Sequence, residues 1–270
     1  MAYGLLKGKR GIIFGALDES SIAWKVALKA HEEGAIFTLS NAPIAMRMGA
    51  INELGTQCHA EIIPADATSM EDLENLIDKT QQILGGKIDF VLHSIGMSPN
   101  IRKGRSYESL DYNYFQKTID VSALSFHKVM SVLYKKEAMN EAGSILALSY
   151  IAAQRVFPDY TDMAQAKAML ESIARSFGYK FAKKNATRVN TISQSPTVTT
   201  AGKGIEGFNA FIDFADKMSP LGNASAEECA DYCISLFSDL TKKVTMQNLM
   251  HDGGFSHTGI TEEMVKQMSK

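Results

Sequence analysis

The stretch Gly11-Ile-Ile-Phe-Gly15-Ala-Leu-Asp-Glu-Ser-Ser-Ile22-Ala-Trp-Lys-Val-Ala-Leu-Lys-Ala-His-Glu-Glu33-Gly-Ala-Ile36-Phe-Thr-Leu39 decides the fold. A short apolar run, Gly11–Phe14, ends on a glycine and a polar turn. A helical pattern follows over Ile22–Glu33, and a second short run over Ile36–Leu39. Strand, helix and strand in that order form a right-handed crossover between parallel strands. Working outward, the same rhythm gives strands at Glu61–Pro64, Ile88–His93, Ser144–Ser149, Arg188–Ser193 and Gln247–His251. Helices are predicted near Ala45–Leu54, Met70–Ile83, Tyr112–Glu137, Tyr160–Lys183 and Ala226–Phe237. The pattern predicts an α/β chain of Rossmann type, doubly wound, with a mainly parallel seven-stranded sheet and helices on both faces. No linker or repeat divides it, so residues 1–270 read as one dinucleotide-binding domain.

Composition narrows the function. The 270 residues are 45% hydrophobic and 21% charged, ample for a buried core. A formal net charge of −2 and the lack of a dense Lys/Arg run point away from nucleic acid. No apolar run reaches the roughly 18 residues of a membrane span. The first residues lack the apolar core of a signal peptide. Cys58, Cys229 and Cys233 make an odd count, which suits a reducing compartment, and a cytoplasmic location is expected. Cys229 and Cys233 read as core-facing small residues.

Dinucleotides bind where parallel strands end at a switch point. The first strand ends at Gly15, where backbone can approach a pyrophosphate. Ser21 is placed to cap the next helix, whose N-terminus attracts anions. Asp18 and Glu19 would repel phosphate, so both are expected to face solvent. The second strand ends at Asn41, the third at Asp66-Ala67, and the fourth at His93-Ser94-Ile95-Gly96. Asp66 either hydrogen-bonds an adenine amino group or caps the helix ahead of Ser69. Asn41 offers neutral hydrogen bonds where a 2′-phosphate would call for a cation. That leans towards NADH over NADPH, although Arg47 stands close. Residues 197–218 break the rhythm with three glycines and then Phe208, Phe211 and Phe214. They form either a lid over the crevice or a surface helix whose aromatics pack down.

Chemistry concentrates in Leu148-Ser-Tyr150-Ile-Ala-Ala-Gln-Arg-Val-Phe-Pro158-Asp159-Tyr160-Thr-Asp-Met163-Ala-Gln-Ala-Lys167. With Asp159 as a helix cap, Tyr160 and Lys167 fall in one helix. Positions i and i+7 return to within about 20° of each other, facing one site. A phenol beside an ammonium suits negative charge on a substrate oxygen. The usual carbonyl-reductase spacing, Tyr-x-x-x-Lys, would put tyrosine at position 163, which is methionine. Its literal match, Tyr179 to Lys183, lies late in the helix. Tyr160 stands one turn further out, about 5.4 Å, and so suits a conjugated enoyl thioester whose carbonyl lies beyond the carbon that takes hydride. Tyr150 either gates the substrate, contacts its thioester, or packs beneath the lid.

The spacing Tyr150-x9-Tyr160-x6-Lys167 resembles the NADH-dependent enoyl-acyl-carrier-protein reductases, a divergent branch of the short-chain dehydrogenase/reductases. The likeness extends from Gly15 and Ser21-Ile22-Ala through His93-Ser-Ile-Gly96 and Arg188-Val-Asn to His251-Asp-Gly-Gly254. It implies NADH as cofactor, held by Gly15, Ser21, Ile22, Asn41, Asp66 and Ala67, by Ser94, Ile95, Gly96 and Lys167, and by Thr197, Val198, Thr199, Thr200 and Ala201. Tyr160, Lys167 and Tyr150 would be the catalytic residues, with Ser98, Met163 and Phe208 beside substrate. It further implies an acyl-carrier-protein partner and a homotetramer, to which the stretch Tyr112–Glu137 offers an apolar face. Many members read Ser-Ala-Gly-Pro-Ile where this chain has Ser193-Gln-Ser-Pro-Thr197, which removes a glycine's freedom and adds polar groups. Carrier protein is acidic, and Arg102, Lys103, Arg105 and Lys203 supply a basic surface. The rival readings are a ketoacyl reductase on the same fold and a nucleotide-binding scaffold without turnover.

Overall fold

In the computed structural model, residues 2–47, 49–200 and 208–269 are described, those at 159, 208 and 209 by backbone alone. Strand β1 (Arg10–Phe14) leads through helix α1 (Ile22–Glu32) to β2 (Ile36–Ser40). Short α2 (Pro43–Met46), α3 (Ala50–Cys58) and α4 (Met70–Leu84) precede β3 (Ile88–His93). After α5 (Pro99–Arg102) come α6 (Tyr112–Ile119), a π-turn at Asp120–Leu124, and α7 (Ser125–Lys135). Strand β4 (Met139–Ser149), α8 (Thr161–Asn185) and β5 (Arg188–Gln194) follow. The chain closes with α9 (Phe208–Met218), α10 (Ala226–Phe237), β6 (Asn248–His251) and α11 (Glu262–Met268).

The sheet has six strands in the order β2-β1-β3-β4-β5-β6, one fewer than expected. Every pairing is parallel. The missing member is Glu61–Pro64. It makes only a bridge, Leu39 to Ile62, with backbone bonds of 2.9 Å either side of it. Pro64 has no N–H to extend that ladder. Two helices are also shorter than their patterns. Ala45–Leu54 divides around the left-handed Gly49, and Tyr112–Glu137 is interrupted by the π-turn. That turn brings the Ser122 hydroxyl to the Met97 backbone, 2.9 Å from N and 3.1 Å from O. π-turns of this kind gather at functional sites.

Alternation along each strand sorts two cores. Ile12, Val91, Ile145 and Val189 face α4, α7 and α8. Ile13, Leu92, Leu146 and Ile192 face α1, α3 and α10, where Cys229 and Cys233 are buried as expected. Successive residues therefore serve opposite layers, the period-2 signature of a sheet covered on both sides.

Register brings the strand ends to one rim. Phe14 lies beside both Ser40 and His93, His93 beside Ala147, Ser149 beside Ser193, and Gln194 beside His251. The chain leaves β1 for β2 on one side and returns to β3 on the other, so the crevice opens above β1 and β3.

Candidate active site

A cleft of about 1170 Å³ lies along that rim. Gly15 opens it, at φ +92°, and a Cβ there would stand 2.0 Å from the Ser94 carbonyl oxygen. Only glycine lets the first turn pass so close to the strand end next to it. Ser21 sits at the N-cap of α1 without capping it. Its hydroxyl donates to the Asp18 carbonyl at 2.7 Å and accepts from Leu17 N–H at 3.3 Å. The first turn of α1 thus has no side-chain cap and carries no acidic residue. Its free amides suit an anion such as a pyrophosphate.

Asp18 departs from expectation. It lines the cleft, and its carboxylate accepts the Thr200 hydroxyl at 2.6 Å and the Ser20 hydroxyl at 2.6 Å. The first loop is thereby tied to the segment after β5. Glu19 is exposed, as expected. Asn41 and Asp66 line the cleft with parts of their side chains already engaged. Asn41 Nδ2 donates to the Ala16 carbonyl at 2.9 Å, and Asp66 accepts Thr68 N–H at 2.8 Å. Ser69, not Asp66, caps α4.

Ile22, Ser94, Ile95, Gly96, Ser98 and Met163 also line the cleft, as do Thr197, Thr199 and Thr200. Ala67 is buried in the core behind the rim, and Val198 faces solvent. Ala201, Lys203 and the side chain of Phe208 lie outside the described residues.

Tyr160 and Lys167 both line this cleft, but not through one helix. Tyr160 closes a 3₁₀ turn, Pro158–Tyr160, and is itself the N-cap of α8. The side chain expected to cap, Asp159, lies outside the described residues. Thr161 has φ 33° and ψ −127°, off the helical path and strained for a β-branched residue. Such a conformation costs on the order of 1–3 kcal/mol and persists only where surroundings enforce it. Tyr160 and Lys167 thus meet at one cleft from a turn and a helix, not from one helix face.

Lys167 is buried, its Nζ donating to the Leu148 carbonyl at 2.7 Å. Burial lowers its pKa to about 8, opposed by the charge of Glu171 one turn on. Glu171 is itself held by the Ser149 hydroxyl at 2.6 Å. His93, buried at the end of β3, is pushed down to about 3 by burial and then by Lys167's charge, so it stays neutral. Ser125 gives its proton to the Val121 carbonyl at 2.6 Å, so His93 Nε2 donates to Ser125, 2.9 Å away. Burial raises the Tyr160 pKa well above the ordinary phenol value. The Tyr150 pKa is raised by burial and by neighbouring Tyr160 and Asp252. Both phenols remain protonated donors at neutral pH. Tyr150 is buried, yet its hydroxyl has no hydrogen-bond partner among the described residues. Its ring packs 5.5 Å from Phe157 and 6.1 Å from Phe211 of α9. The literal Tyr-x-x-x-Lys pair, Tyr179 and Lys183, is exposed.

A family model described as enoyl-(acyl carrier protein) reductase matches residues 15–256. The chain belongs to that family. It is 31% identical to the enoyl-[acyl-carrier-protein] reductase [NADH] 2 of Rhizobium meliloti (strain 1021), over 95% of each chain. It is 63% identical to the FabI of Alistipes finegoldii in its NADH complex, with a TM-score of 0.95 covering 96% of this chain and 92% of that one. The Aquifex aeolicus VF5 enoyl-[acyl-carrier-protein] reductase (NADH) structure follows at 31% identity and TM-score 0.87, covering 95% of this chain and all of its own.

Within this enoyl reductase, the altered run Ser193–Thr197 has a structural reason. Gln194 donates to Thr197 Oγ1 at 3.2 Å and to the Ala224 carbonyl at 3.0 Å, and its oxygen accepts from His251 Nδ1 at 2.6 Å. Ser195 accepts the Ala224 N–H at 3.1 Å. The added polar groups are consumed in bracing the rim. Asp162, Glu171 and Phe157 belong to no motif, and their only sequence signal is proximity to Tyr160 and Lys167. No helix among the described residues is long and apolar enough to cross a membrane.

Proposed function

We propose that the chain reduces trans-2-enoyl thioesters on acyl-carrier protein to acyl thioesters with NADH, in bacterial type II fatty-acid elongation. The reading rests on one observation above all: two protonated phenols, 5.0 Å apart by ring centroids, share a cleft with a buried lysine. The uncapped start of α1 and the close approach at Gly15 suit the cofactor's pyrophosphate. Bound reduced nicotinamide supplies the hydride that enters C3. Tyr160 donates its hydrogen bond to the thioester oxygen as enolate charge develops there, a donor fixed before the reaction begins. The Tyr150 hydroxyl, without a partner among the described residues, contacts the thioester or gates the acyl chain. With cofactor bound, Lys167 would hold the ribose hydroxyls and add positive potential. C2 then takes a proton from solvent or a relay. Asn41 in place of a cation supports NADH over NADPH.

Exposed Arg102 and Lys117 line the cleft, exposed Lys103 and Arg105 follow Arg102 in the chain, and an acidic carrier protein suits these cations. Residues 197–218, of which 201–207 lie outside the described residues, are assigned as the lid of a single domain over 1–270, with Phe211 of α9 reaching Tyr150 and Phe157. The reading carries with it a cytoplasmic homotetramer. Its test compares crotonyl and acetoacetyl thioesters with NADH and with NADPH. Turnover of the crotonyl substrate with NADH is expected, and preference for the acetoacetyl thioester would sink the reading. Tyr160→Phe is expected to lower kcat by about 10²–10³ while NADH affinity stays constant.

A further inference from the structure

Asp162 is fully buried, two residues from Tyr160. Four polar groups converge on its carboxylate: Ser98 Oγ at 2.7 Å and Thr161 Oγ1 at 3.2 Å on one oxygen, Asn100 Nδ2 at 2.7 Å and Thr118 Oγ1 at 2.8 Å on the other, Thr118 sharing its one proton with the Tyr114 carbonyl at 2.9 Å. Among the described residues no lysine, arginine or histidine pairs with it. A buried carboxylate held by neutral donors alone is expensive, and survives where the geometry it enforces is needed.

The donors come from three separate pieces of the site. Ser98 and Asn100 belong to the loop and short helix after β3, Thr118 to α6, and Asp162 and Thr161 to the start of α8. Ser98 lines the cleft, and its oxygen also accepts the Ile101 N–H at 3.1 Å. Asn100 is fully buried, with its oxygen accepting Asp111 N–H at 3.0 Å at the start of α6. Asp162 is therefore the knot between the acyl-facing wall and the strained turn that presents Tyr160. Thr161, at φ 33°, is the residue that would relax if the knot were cut.

We infer that Asp162 is a positioning residue for the reaction, holding the Tyr160 phenol in register with the Ser98 wall across the cleft. The inference rests on the role proposed for Tyr160. Asparagine at this position would set a donor against donors and shift the turn. A displacement near 1 Å at a reacting centre costs up to about a hundredfold in rate. Lys167 gives its hydrogen bond to the Leu148 carbonyl, not to any member of the knot.

The test is a double-mutant cycle with turnover and NADH titration read on the same proteins. Asp162→Asn is expected to lower kcat by about tenfold to a hundredfold, with the NADH Kd within about twofold. In a Tyr160→Phe background the same substitution is expected to add less than about twofold, because the group it positions is gone. Losses that multiply in the double variant, an unchanged kcat, or a Kd that worsens along with kcat would each overturn the inference. Full activity of Tyr160→Phe alone would instead remove the role of Tyr160. If Asp162→Asn does not fold, Thr118→Val removes one donor from the side away from the cleft and is read against the same cycle.

Discussion

The rings of Tyr150 and Tyr160 stand 5.0 Å apart, inclined at 53°, and only Tyr150 belongs to the end of a strand. Tyr160 arrives from a separate turn, so the two phenols converge from independent elements. Phe157 and Phe211 close the aromatic group from the loop and from α9, their rings 5.1 Å apart and perpendicular. The cluster joins the turn after β4 to α9, and substitutions there are expected to affect binding and chemistry differently.

Tyr150→Phe removes a buried hydroxyl with no partner among the described residues. We expect thermal unfolding to shift upward, since an unsatisfied buried polar group costs about 1–3 kcal/mol. The KM for enoyl thioester should rise at the same time, with kcat changed far less than in Tyr160→Phe. Calorimetry and steady-state kinetics on one preparation check both halves.

Lys167 predicts opposite pH trends for affinity and stability. Its pKa, lowered to about 8 by burial, leaves the ammonium charged at pH 7 and neutral above pH 9. NADH affinity should weaken as pH rises through 8, and Lys167→Met should lack that step. The unfolded chain holds this proton up to about pH 10.4, so between 8 and 10.4 it binds more protons than the folded one. Relative to Lys167→Met, the native chain should therefore gain stability as pH rises over that window. Fluorescence titration and denaturant midpoints at several pH values separate the two effects.

Gly15→Ala puts a methyl group 2.0 Å from a backbone oxygen, at a φ that alanine rarely adopts. The first turn must move away from Ser94. We expect the melting temperature to fall by roughly 4–5 °C, the shift of a loss of about 2–3 kcal/mol in a chain of this size. NADH binding should fall with it, and retention of both would show that the rim tolerates a wider turn.

Asp18→Asn removes a negative charge beside the uncapped start of α1, while leaving hydrogen-bonding atoms for Ser20 and Thr200. NADH affinity is expected to rise a few-fold, more at low ionic strength, where screening is weakest. Equal affinity at low and high salt would show that Asp18 does not act on the phosphates.

Period and punctuation in the sequence were enough to determine the alternation of strands and helices, the parallel sheet and the crevice at Gly15. Those features depend on local propensity and on residue types at fixed spacings. The six-strand count, the break between Tyr160 and α8, and the inward turn of Asp18 were decided by tertiary contacts. Pro64 ends a ladder only when Leu39 lies alongside. Thr161 accepts its strain in a turn whose neighbour, Asp162, is tied to Ser98 and Thr118, 64 and 44 positions away. Hydrogen bonds over such separations leave no periodic trace along the chain, because their partners meet only after the helices have packed on the sheet.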